Sequence, residues 1–273
     1  MNGFLWDGFA VNLAVAAGAA LTVMLVTFAL ALAKGVHRIV DVAWGVGFAA
    51  VALASYALSG AADDPDPARR ALIAALTVVW GLRLAAHIAR RGRGHGEDPR
   101  YARMLARAPG SPRWYALRKV YLLQGALVWL VSLPVQAACY VTGALGPLAL
   151  AGAALWLLGL TFEAVGDHQL ARFKADPANR GALMDRGLWS WTRHPNYFGD
   201  FCVWWGLYLI AAEQWQAAAV SVVAPLVMSA LLTVGSGMRL LEAHMADRPG
   251  FAAYRARTSG FFPLPPKKDA RKA

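Results

Sequence analysis

The chain has 273 residues, of which 58% are hydrophobic and only 16% are charged. This composition excludes an ordinary soluble domain, and because the apolar residues fall in long blocks it indicates an integral membrane protein. The net charge of +11 does not require a nucleic-acid partner, since the cytoplasmic loops of membrane proteins carry the same basic excess.

Seven apolar segments are long enough to cross a bilayer core, which takes about 20 helical residues. In chain order they are residues 9–33, 39–59, 71–89, 120–140, 147–165, 195–212 and 215–240. The first is too long for a signal-peptide core and has no basic residue before it, so we expect it to be retained as a span. The sequence predicts an all-α, polytopic protein of about seven transmembrane helices, with one membrane domain at 1–266 and a disordered basic tail at 267–273.

The basic residues are distributed very unevenly between the two ends of these segments. Of the 27 lysines and arginines, 24 fall after the first, third, fifth and seventh segments. The opposite connections hold only Arg69 and Arg70, beside three aspartates. By the positive-inside rule, the N-terminus is predicted to lie outside and the C-terminus in the cytoplasm.

Residues 187–209 join an aromatic and basic run to an apolar helix. Pro195 fits the first turn of a helix, so the helix is predicted to begin near His194. The free N–H groups of that turn, with Arg193 and His194 beside them, suit a phosphate or a carboxylate. Asn196 and Asp200 are four residues apart and share a face. The alternative is a membrane-surface anchor made of Trp, Tyr and Arg.

The third connection, residues 90–119, is long and rich in arginine. Its Gly92, Gly94 and Gly96 do not form a dinucleotide fingerprint, because no strand precedes them and their spacing differs. We expect a flexible basic loop whose side chains and backbone wrap phosphates. A patch that binds lipid headgroups is the alternative.

The region that follows the seventh segment is also more than a plain connector. Leu241, Met245, Phe251 and Tyr254 indicate an amphipathic helix that lies against the membrane or folds back under the bundle. Prolines at positions 263, 265 and 266 are expected to end it.

Several charged residues lie inside the apolar segments or at their ends. A charge within a span costs several kcal/mol unless it is paired or hydrated, on insertion scales roughly 2.5 to 3.5 kcal/mol. These residues are Asp41, Arg83, Glu163, Asp167, Arg239 and Glu242. We expect them to converge on one chamber that opens to the cytoplasm. The alternative is a set of interhelical ion pairs, for example Asp41 or Glu163 with Arg83.

The two cysteines give no sign of a metal centre. Cys139 and Cys202 both lie within apolar segments, and their spacing matches neither a zinc site nor a disulfide framework. We therefore treat them as packing residues and predict no metal site.

The motif RHPNYFGD, followed by WWG, is similar to a signature of steroid 5-alpha-reductase-like membrane proteins and sterol reductases. A shorter form of it occurs in isoprenylcysteine carboxyl methyltransferases. The chain also contains, in this order, IVDVAWGVGF, EDPRY, FEAVGDHQLARFK and LLEAHMADRPGFAAYRARTSGFFP. With these motifs and RHPNYFGD, it resembles a bacterial membrane-protein family grouped with steroid 5-alpha-reductases. The resemblance implies a location in the bacterial inner membrane.

The resemblance also implies NADPH as the cofactor, held by the C-terminal half of the chain at about 147–266. The positions expected to bind it, from the resemblance and from the helix N-terminus above, are Arg91, Arg93, Asp167, Arg172, Arg193, His194, Asn196, Tyr197, Asp200, Arg239, Glu242 and Tyr254.

In steroid-reducing members of the resembled group, a glutamate of the second span and a tyrosine of the third hold the substrate carbonyl. Asp41 falls near the first position, and Trp80 stands near the second. The implied reaction is hydride transfer to an enone-type C=C bond of a lipophilic substrate, steroid-like molecules among the candidates. Asp41 would donate to the developing enolate oxygen, and Trp44 or Trp80 would donate an indole N–H or wall in the ring.

Two other functions remain open at this stage. The same helix N-terminus could face the carboxylate of S-adenosylmethionine in a membrane methyltransferase, although the arginine-rich third connection exceeds what that cofactor requires. A non-enzymatic lipid-binding protein or transporter is the third class. The expected partners are a lipophilic small molecule and membrane lipids, with no nucleic acid, and the expected state is a monomer.

Overall fold

The computed structural model describes residues 3–235 and 237–267, and 75% of it is helical with no β-strand in the described part. The α-helices, in chain order, are α1 (Trp6–Lys34), α2 (Val40–Ser59), α3 (Pro67–Gly92), α4 (Pro99–Ala106), α5 (Pro112–Ala116), α6 (Leu123–Val131), α7 (Leu133–Ala138), α8 (Pro147–Ala175), α9 (Leu188–Trp191), α10 (Pro195–Ala211), α11 (Trp215–Ser221), α12 (Val223–Thr233), α13 (Met238–Met245) and α14 (Phe251–Arg257). Short 3-10 turns occur at His37–Ile39 and Pro177–Asn179, and a π-helical stretch at Leu117–Leu122. The predicted all-α class is confirmed.

Within the described residues, five helices are long and apolar enough to cross a membrane. They are Trp6–Lys34, His37–Ser59, Pro67–Gly92, Pro147–Ala175 and Trp215–Met245. These five overlap the first, second, third, fifth and seventh predicted segments. Long apolar helices of this kind are consistent with an integral membrane protein.

The fourth and sixth predicted segments form shorter helices. Residues 120–140 are divided among the π-helical stretch, α6 and α7, because Pro134 lies in the first turn of α7 and cannot donate to a preceding carbonyl. The helix α10 has 17 residues and is about 25 Å long, against a bilayer core of about 30 Å. It begins at Pro195, as predicted, and a short turn at 212–214 joins it to α11.

Helix starts in the N-terminal part of the chain follow from Asp-Pro pairs. The Asp66 carboxylate accepts a hydrogen bond of 2.6 Å from the backbone N–H of Arg69, and Pro67 occupies the first turn of α3. Asp98 and Pro99 begin α4 in the same way. The third connection, predicted as a flexible loop, therefore contains the helices α4 and α5.

The chain forms two compact units, and the first comprises Met1–Leu150 and Leu207–Ala224. Here α2 and α3 pack closely at Gly45 and Gly81, since a Cβ added to Gly81 would lie 2.5 Å from the Gly45 carbonyl oxygen. Small residues at such a crossing allow two helix backbones to approach. Phe48 and Trp80 are fully buried in the core of this unit.

A buried arginine ties the connections of the first unit together. The Arg69 side chain is 1% exposed and forms an ion pair of 2.7 Å with Glu213. Its guanidinium also donates to the carbonyl oxygens of Ile210 at 2.7 Å, Ala144 at 3.0 Å and Gly143 at 3.2 Å. Burial alone would raise the pKa of Glu213, but hydrogen bonds from Arg69 and from two backbone N–H groups hold that pKa below its usual value.

The second unit comprises Ala151–Gly206 and Pro225–Ala273. In it α8 and α10 approach at Gly159 and Gly199, where a Cβ on either glycine would lie 2.5 Å from the carbonyl oxygen of the other. The C-terminal segment is fastened to the approach to α10. The backbone N–H of Arg193 donates to the Ser259 carbonyl at 2.9 Å, and that of Leu264 donates to the Trp191 carbonyl at 3.0 Å.

The C-terminal region, predicted as one amphipathic helix, is divided into α13 and α14. Residues 246–250 separate them, and Gly250, whose φ of 82° is left-handed, is the N-cap of α14. The predicted cofactor-binding half at about 147–266 corresponds to the second unit except for residues 147–150 and 207–224. Most of the predicted basic tail, residues 268–273, lies outside the described residues.

Candidate functional site

In the first unit, the carboxylate of Asp41 is the centre of a polar cluster at the start of α2. The Tyr101 hydroxyl donates a hydrogen bond of 2.6 Å to Asp41 Oδ1, and Arg100 Nη2 lies 3.4 Å from Oδ2. The sequence analysis singled out Asp41, with Trp80 near the second expected position, and did not single out Tyr101. The signal that could have found Tyr101 is its place in the EDPRY motif.

The residues just before Tyr101 hold α4 in position. The Glu97 carboxylate accepts hydrogen bonds from the backbone N–H groups of His37 at 2.5 Å and Arg38 at 2.9 Å, so it caps the turn that leads into α2. Asp98 caps α4, and its side-chain hydrogen bond with Arg100 lowers its pKa. Burial raises the pKa of Tyr101, and the Asp41 carboxylate raises it further. The Tyr101 hydroxyl therefore stays protonated at neutral pH and acts as a donor.

Aromatic side chains extend inward from Asp41. Trp44 lies one turn further along α2, and its ring meets that of Phe48 edge-on at 5.2 Å. Phe48 in turn meets Trp80 at 5.6 Å. Trp80 has no exposed surface, so it supports this aromatic row from behind, whereas Trp44 is half-buried. Trp44 and Trp80 are thus joined through Phe48, and Asp41, which contacts Tyr101, lies one turn before Trp44 on α2.

The two arginines expected to meet phosphates from the third connection lie at the end of α3. Arg91 is in its last turn and Arg93 is its C-cap, and both side chains are exposed. They belong to the first unit, with Asp41.

The second unit contains a cavity of about 510 Å³. Its walls come from the end of α8, the segment that follows it, α9, α13 and α14. The apolar lining residues are Leu170, Phe173, Ala175, Pro177, Ala182, Leu183, Met184, Trp189, Leu241, Met245, Phe251 and Tyr254, and the polar ones are Lys174, Asp176, Asn179, Arg180, Arg193, His194, Glu242 and Arg248. A largely apolar cavity with a few polar groups is typical of a small-molecule site.

His194 is the buried polar group of this cavity. Its Nε2 lies 3.0 Å from Glu242 Oε1, and its side chain is 4% exposed. Burial lowers the pKa of His194, and the hydrogen bond to Glu242 opposes that change. Because the carboxylate accepts from Nε2, the neutral imidazole presents a lone pair at Nδ1, which is buried and has no hydrogen-bond partner among the described residues. A buried acceptor of this kind is costly unless a ligand donates to it.

Arg193, predicted as a phosphate ligand, is engaged within the protein. Its Nε donates to Glu242 Oε1 at 2.8 Å, and its Nη1 donates to the Thr258 carbonyl at 2.6 Å and to the Arg255 carbonyl at 3.3 Å. The Tyr254 hydroxyl donates to the Trp189 carbonyl at 2.6 Å. Both side chains hold the C-terminal segment against the residues before α10, so they shape the cavity.

The structure thus brings four of the predicted cofactor residues to the cavity, namely Arg193, His194, Glu242 and Tyr254. Six others in the second unit do not line it. Asp167 is buried on α8, whereas Arg172 and Arg239 are exposed. Asn196 and Asp200 are half-buried on α10. The ring of Tyr197 stacks on that of His194, with 5.3 Å between the ring centres. Arg180 and Arg248 line the cavity and were missed, because the sequence analysis only counted them among the basic residues that predict the membrane orientation.

The apolar walls of this cavity suit a flat, uncharged ring, and its exposed arginines, Arg180 and Arg248, suit an anionic group such as a phosphate. NADPH contains both kinds of group, so the lining residues are compatible with part of that molecule.

Comparison with known proteins places the chain in a family. A family model described as "Protein of unknown function (DUF1295)" matches residues 27–258. This family is the steroid 5-alpha-reductase-like group. No curated protein and no solved structure matches the chain.

Proposed function

Because the chain belongs to the DUF1295 family, we propose that it is a membrane-embedded reductase that uses NADPH to reduce an activated C=C bond of a lipophilic substrate. The observation that carries the proposal is the hydrogen bond of 2.6 Å between the Tyr101 hydroxyl and Asp41. A phenol and a carboxyl group in contact form a proton donor, which reduction of an enone requires at the carbonyl oxygen.

The first unit performs the proton chemistry. When the substrate binds, the Tyr101 hydroxyl donates its single proton to the substrate carbonyl oxygen instead of to Asp41, and a protonated Asp41 carboxyl donates to the Tyr101 oxygen. Negative charge that develops on the oxygen is stabilised there, and the resulting enol converts to the saturated ketone. Trp44 forms the wall of the site, and Trp80 supports it through Phe48.

The second unit binds the cofactor. NADPH supplies the hydride when it is bound. Glu242 fixes the tautomer of the buried His194, and Arg193 and Tyr254 shape the cavity by holding the C-terminal segment in place. The other predicted cofactor residues, Arg91 and Arg93 among them, remain candidates for the rest of the dinucleotide.

A seven-span topology accompanies this function. In it α10 and the broken helix at 120–138 cross the membrane together with the five long helices, and the N-terminus lies outside. The support is the charge distribution, with 24 of 27 basic residues on the cytoplasmic side. The protein would act as a monomer in the bacterial inner membrane, where a substrate dissolved in lipid enters from the side and the charged nucleotide stays at the cytoplasmic end.

Calorimetric titration of the detergent-purified protein with NADPH tests the cofactor assignment. Ala182 is an exposed alanine that lines the cavity. Ala178, four residues before it, is also an exposed alanine but does not line the cavity. We expect Ala182→Trp to weaken NADPH binding by about tenfold or more, since filling the cavity excludes the ligand, and Ala178→Trp to bind normally. Absence of NADPH binding by the wild type, with saturable binding of S-adenosylmethionine instead, would overturn the reductase in favour of a methyltransferase.

A further inference from the structure

One exposed helix face of the first unit is not used by the proposed reaction. The helix α5, the π-helical stretch and α6 follow one another without a gap from residue 112 to residue 131. Val120, Tyr121 and Gly125 are buried and hold this helix against the rest of the unit. The exposed residues recur about every four positions along it, and they are Arg113, Trp114, Arg118, Lys119, Leu122 and Leu123. We call these six residues the α5–α6 face.

The chemistry of the α5–α6 face changes along its length. Its first half is basic and aromatic, with Arg118 and Lys119 exposed and Trp114 one turn before them, 59% exposed. One turn beyond the two cations, Leu122 and Leu123 are also exposed. Tryptophan and basic side chains are typical of the membrane–water interface, and leucine is typical of the hydrocarbon region. The face therefore matches a molecule that has a charged head and apolar chains.

The cations of the α5–α6 face have no acidic counterpart. The side chains of Arg113, Arg118 and Lys119 make no hydrogen bond or ion pair within residues 3–235 and 237–267. In the sequence, no aspartate or glutamate lies between Asp98 and Glu163. Positive charge beside a membrane attracts lipids that carry a net negative charge. A zwitterionic lipid suits the face less well, because its own ammonium group offsets the charge of its phosphate.

We infer that the α5–α6 face binds an anionic phospholipid, which belongs to the cytoplasmic leaflet in the proposed topology. Arg118 and Lys119 bind the phosphate, and Trp114 lies at the level of the headgroup. The acyl chains lie along Leu122 and Leu123. A water-soluble phosphate would contact only the basic half of the face, whereas a phospholipid contacts all of it. This site is separate from the cavity of the second unit and does not depend on the proposed reaction.

Native mass spectrometry of the detergent-purified full chain tests this inference, because it counts the lipids that the protein retains. The protein is incubated with equal concentrations of phosphatidylglycerol and phosphatidylethanolamine that have the same acyl chains. Each basic residue near a membrane surface favours anionic lipid by about fivefold, so we expect the wild type to prefer phosphatidylglycerol by at least about tenfold. Glycerol 3-phosphate at the same concentration should not displace the lipid, since it has no chains to contact the leucines.

The double variant Arg118→Gln, Lys119→Gln should lower the preference for phosphatidylglycerol by about tenfold. Its matched control is Arg186→Gln, Arg255→Gln, which removes the same charge from two exposed arginines of the second unit and should keep the preference. If the first double variant does not fold, Lys119→Gln is compared with Arg186→Gln, with an expected loss of about fivefold.

Three results would overturn the inference. The first is equal retention of the two lipids by the wild type. The second is displacement of the lipid by glycerol 3-phosphate, which would make the face a site for water-soluble phosphates. The third is an equal loss of preference in the variant of the face and in its control, which would show that only the total charge of the protein matters.

Discussion

At the residue scale, the chemistry depends on where α4 places a phenol. Tyr101 lies two residues into that helix, and Asp98 and Glu97 fix the helix start and the preceding turn. The Tyr101 hydroxyl consequently reaches Asp41 at the start of α2 and forms a hydrogen bond with its carboxyl group. In the proposed reaction, a donor built from these two side chains supplies the proton that an enone needs.

Removal of the phenolic hydroxyl should therefore abolish turnover without preventing cofactor binding. In Tyr101→Phe we expect kcat for enone reduction to fall by about 10²-fold or more, the usual contribution of a positioned acid. The dissociation constant for NADPH should change little. Both are measured by NADPH oxidation and calorimetry on the purified variant.

Tyr115→Phe provides the matched control, since Tyr115 is a half-buried tyrosine of the neighbouring helix α5 with no role in the cluster. Undiminished kcat in Tyr101→Phe would remove Tyr101 from the mechanism.

The pH dependence of stability follows from His194. Burial lowers its pKa in the folded protein below the ordinary value of 6.5, so the unfolded chain takes up this proton first as the pH falls. The stability associated with the neutral imidazole is present above pH 6.5 and is lost as the pH falls from there toward the folded-state pKa. The loss of thermal stability between pH 7.5 and 5.5 should be smaller in His194→Phe than in the wild type. Equal losses in the two proteins would contradict a neutral buried His194.

Much of the site could be predicted from the sequence at this scale, but the pairings could not. Asp41 stood out because a charge in an apolar segment is expensive, and His194 stood out because it precedes a helix-starting proline. Tyr101 lies on α4, 60 residues from Asp41 along the chain, and Glu213 lies 144 residues from Arg69. Composition and periodicity carry no information about which distant side chains meet.

At the element scale, close helix crossings decide the packing of both units. Glycines stand where α2 meets α3 and where α8 meets α10, and each pair brings backbone against backbone. In a membrane such crossings replace the hydrophobic driving force that holds soluble helices together.

A methyl group at a crossing should therefore destabilise the protein. Gly81→Ala would place its Cβ 2.5 Å from the carbonyl oxygen of Gly45, which forces α2 and α3 apart. We expect a loss of about 1 to 3 kcal/mol, as for overpacking in other cores, seen as a lower melting temperature in detergent. Gly18→Ala is the control, because nothing lies within 4 Å of a Cβ there. A Gly81→Ala variant as stable as this control would show that the crossing is not a close one.

The helices themselves were well predicted because their signals are local. Apolar runs marked the long helices, and Pro67, Pro147 and Pro195 each begin one. The break before Pro134 and the turn at 246–250 between α13 and α14 were missed, since the hydrophobic pattern continues across both. Backbone conformation, rather than hydropathy, decides where those helices end.

At the scale of the whole molecule, the charge asymmetry predicts that the loop at 60–66 lies outside and the loop at 107–111 lies in the cytoplasm. Single cysteines at Asp64 and Ala108 test this with a membrane-impermeant maleimide. Asp64→Cys should be labelled from outside in cells with a permeable outer membrane, and Ala108→Cys only after lysis. The native Cys139 and Cys202 are both buried, which keeps the background low. Labelling in the opposite order would reverse the proposed topology.

The central claim is that the protein transfers a hydride from NADPH to an enone, and deuterium transfer tests it most directly. Purified protein in lipid vesicles is supplied with NADPH deuterated at the transferred position and with a panel of lipophilic cyclic enones, and the products are analysed by mass spectrometry. We expect a saturated ketone with one deuterium at the β-carbon, formed by the wild type and not by Asp41→Asn. A preparation that binds NADPH yet forms no singly deuterated ketone from any enone would contradict the account.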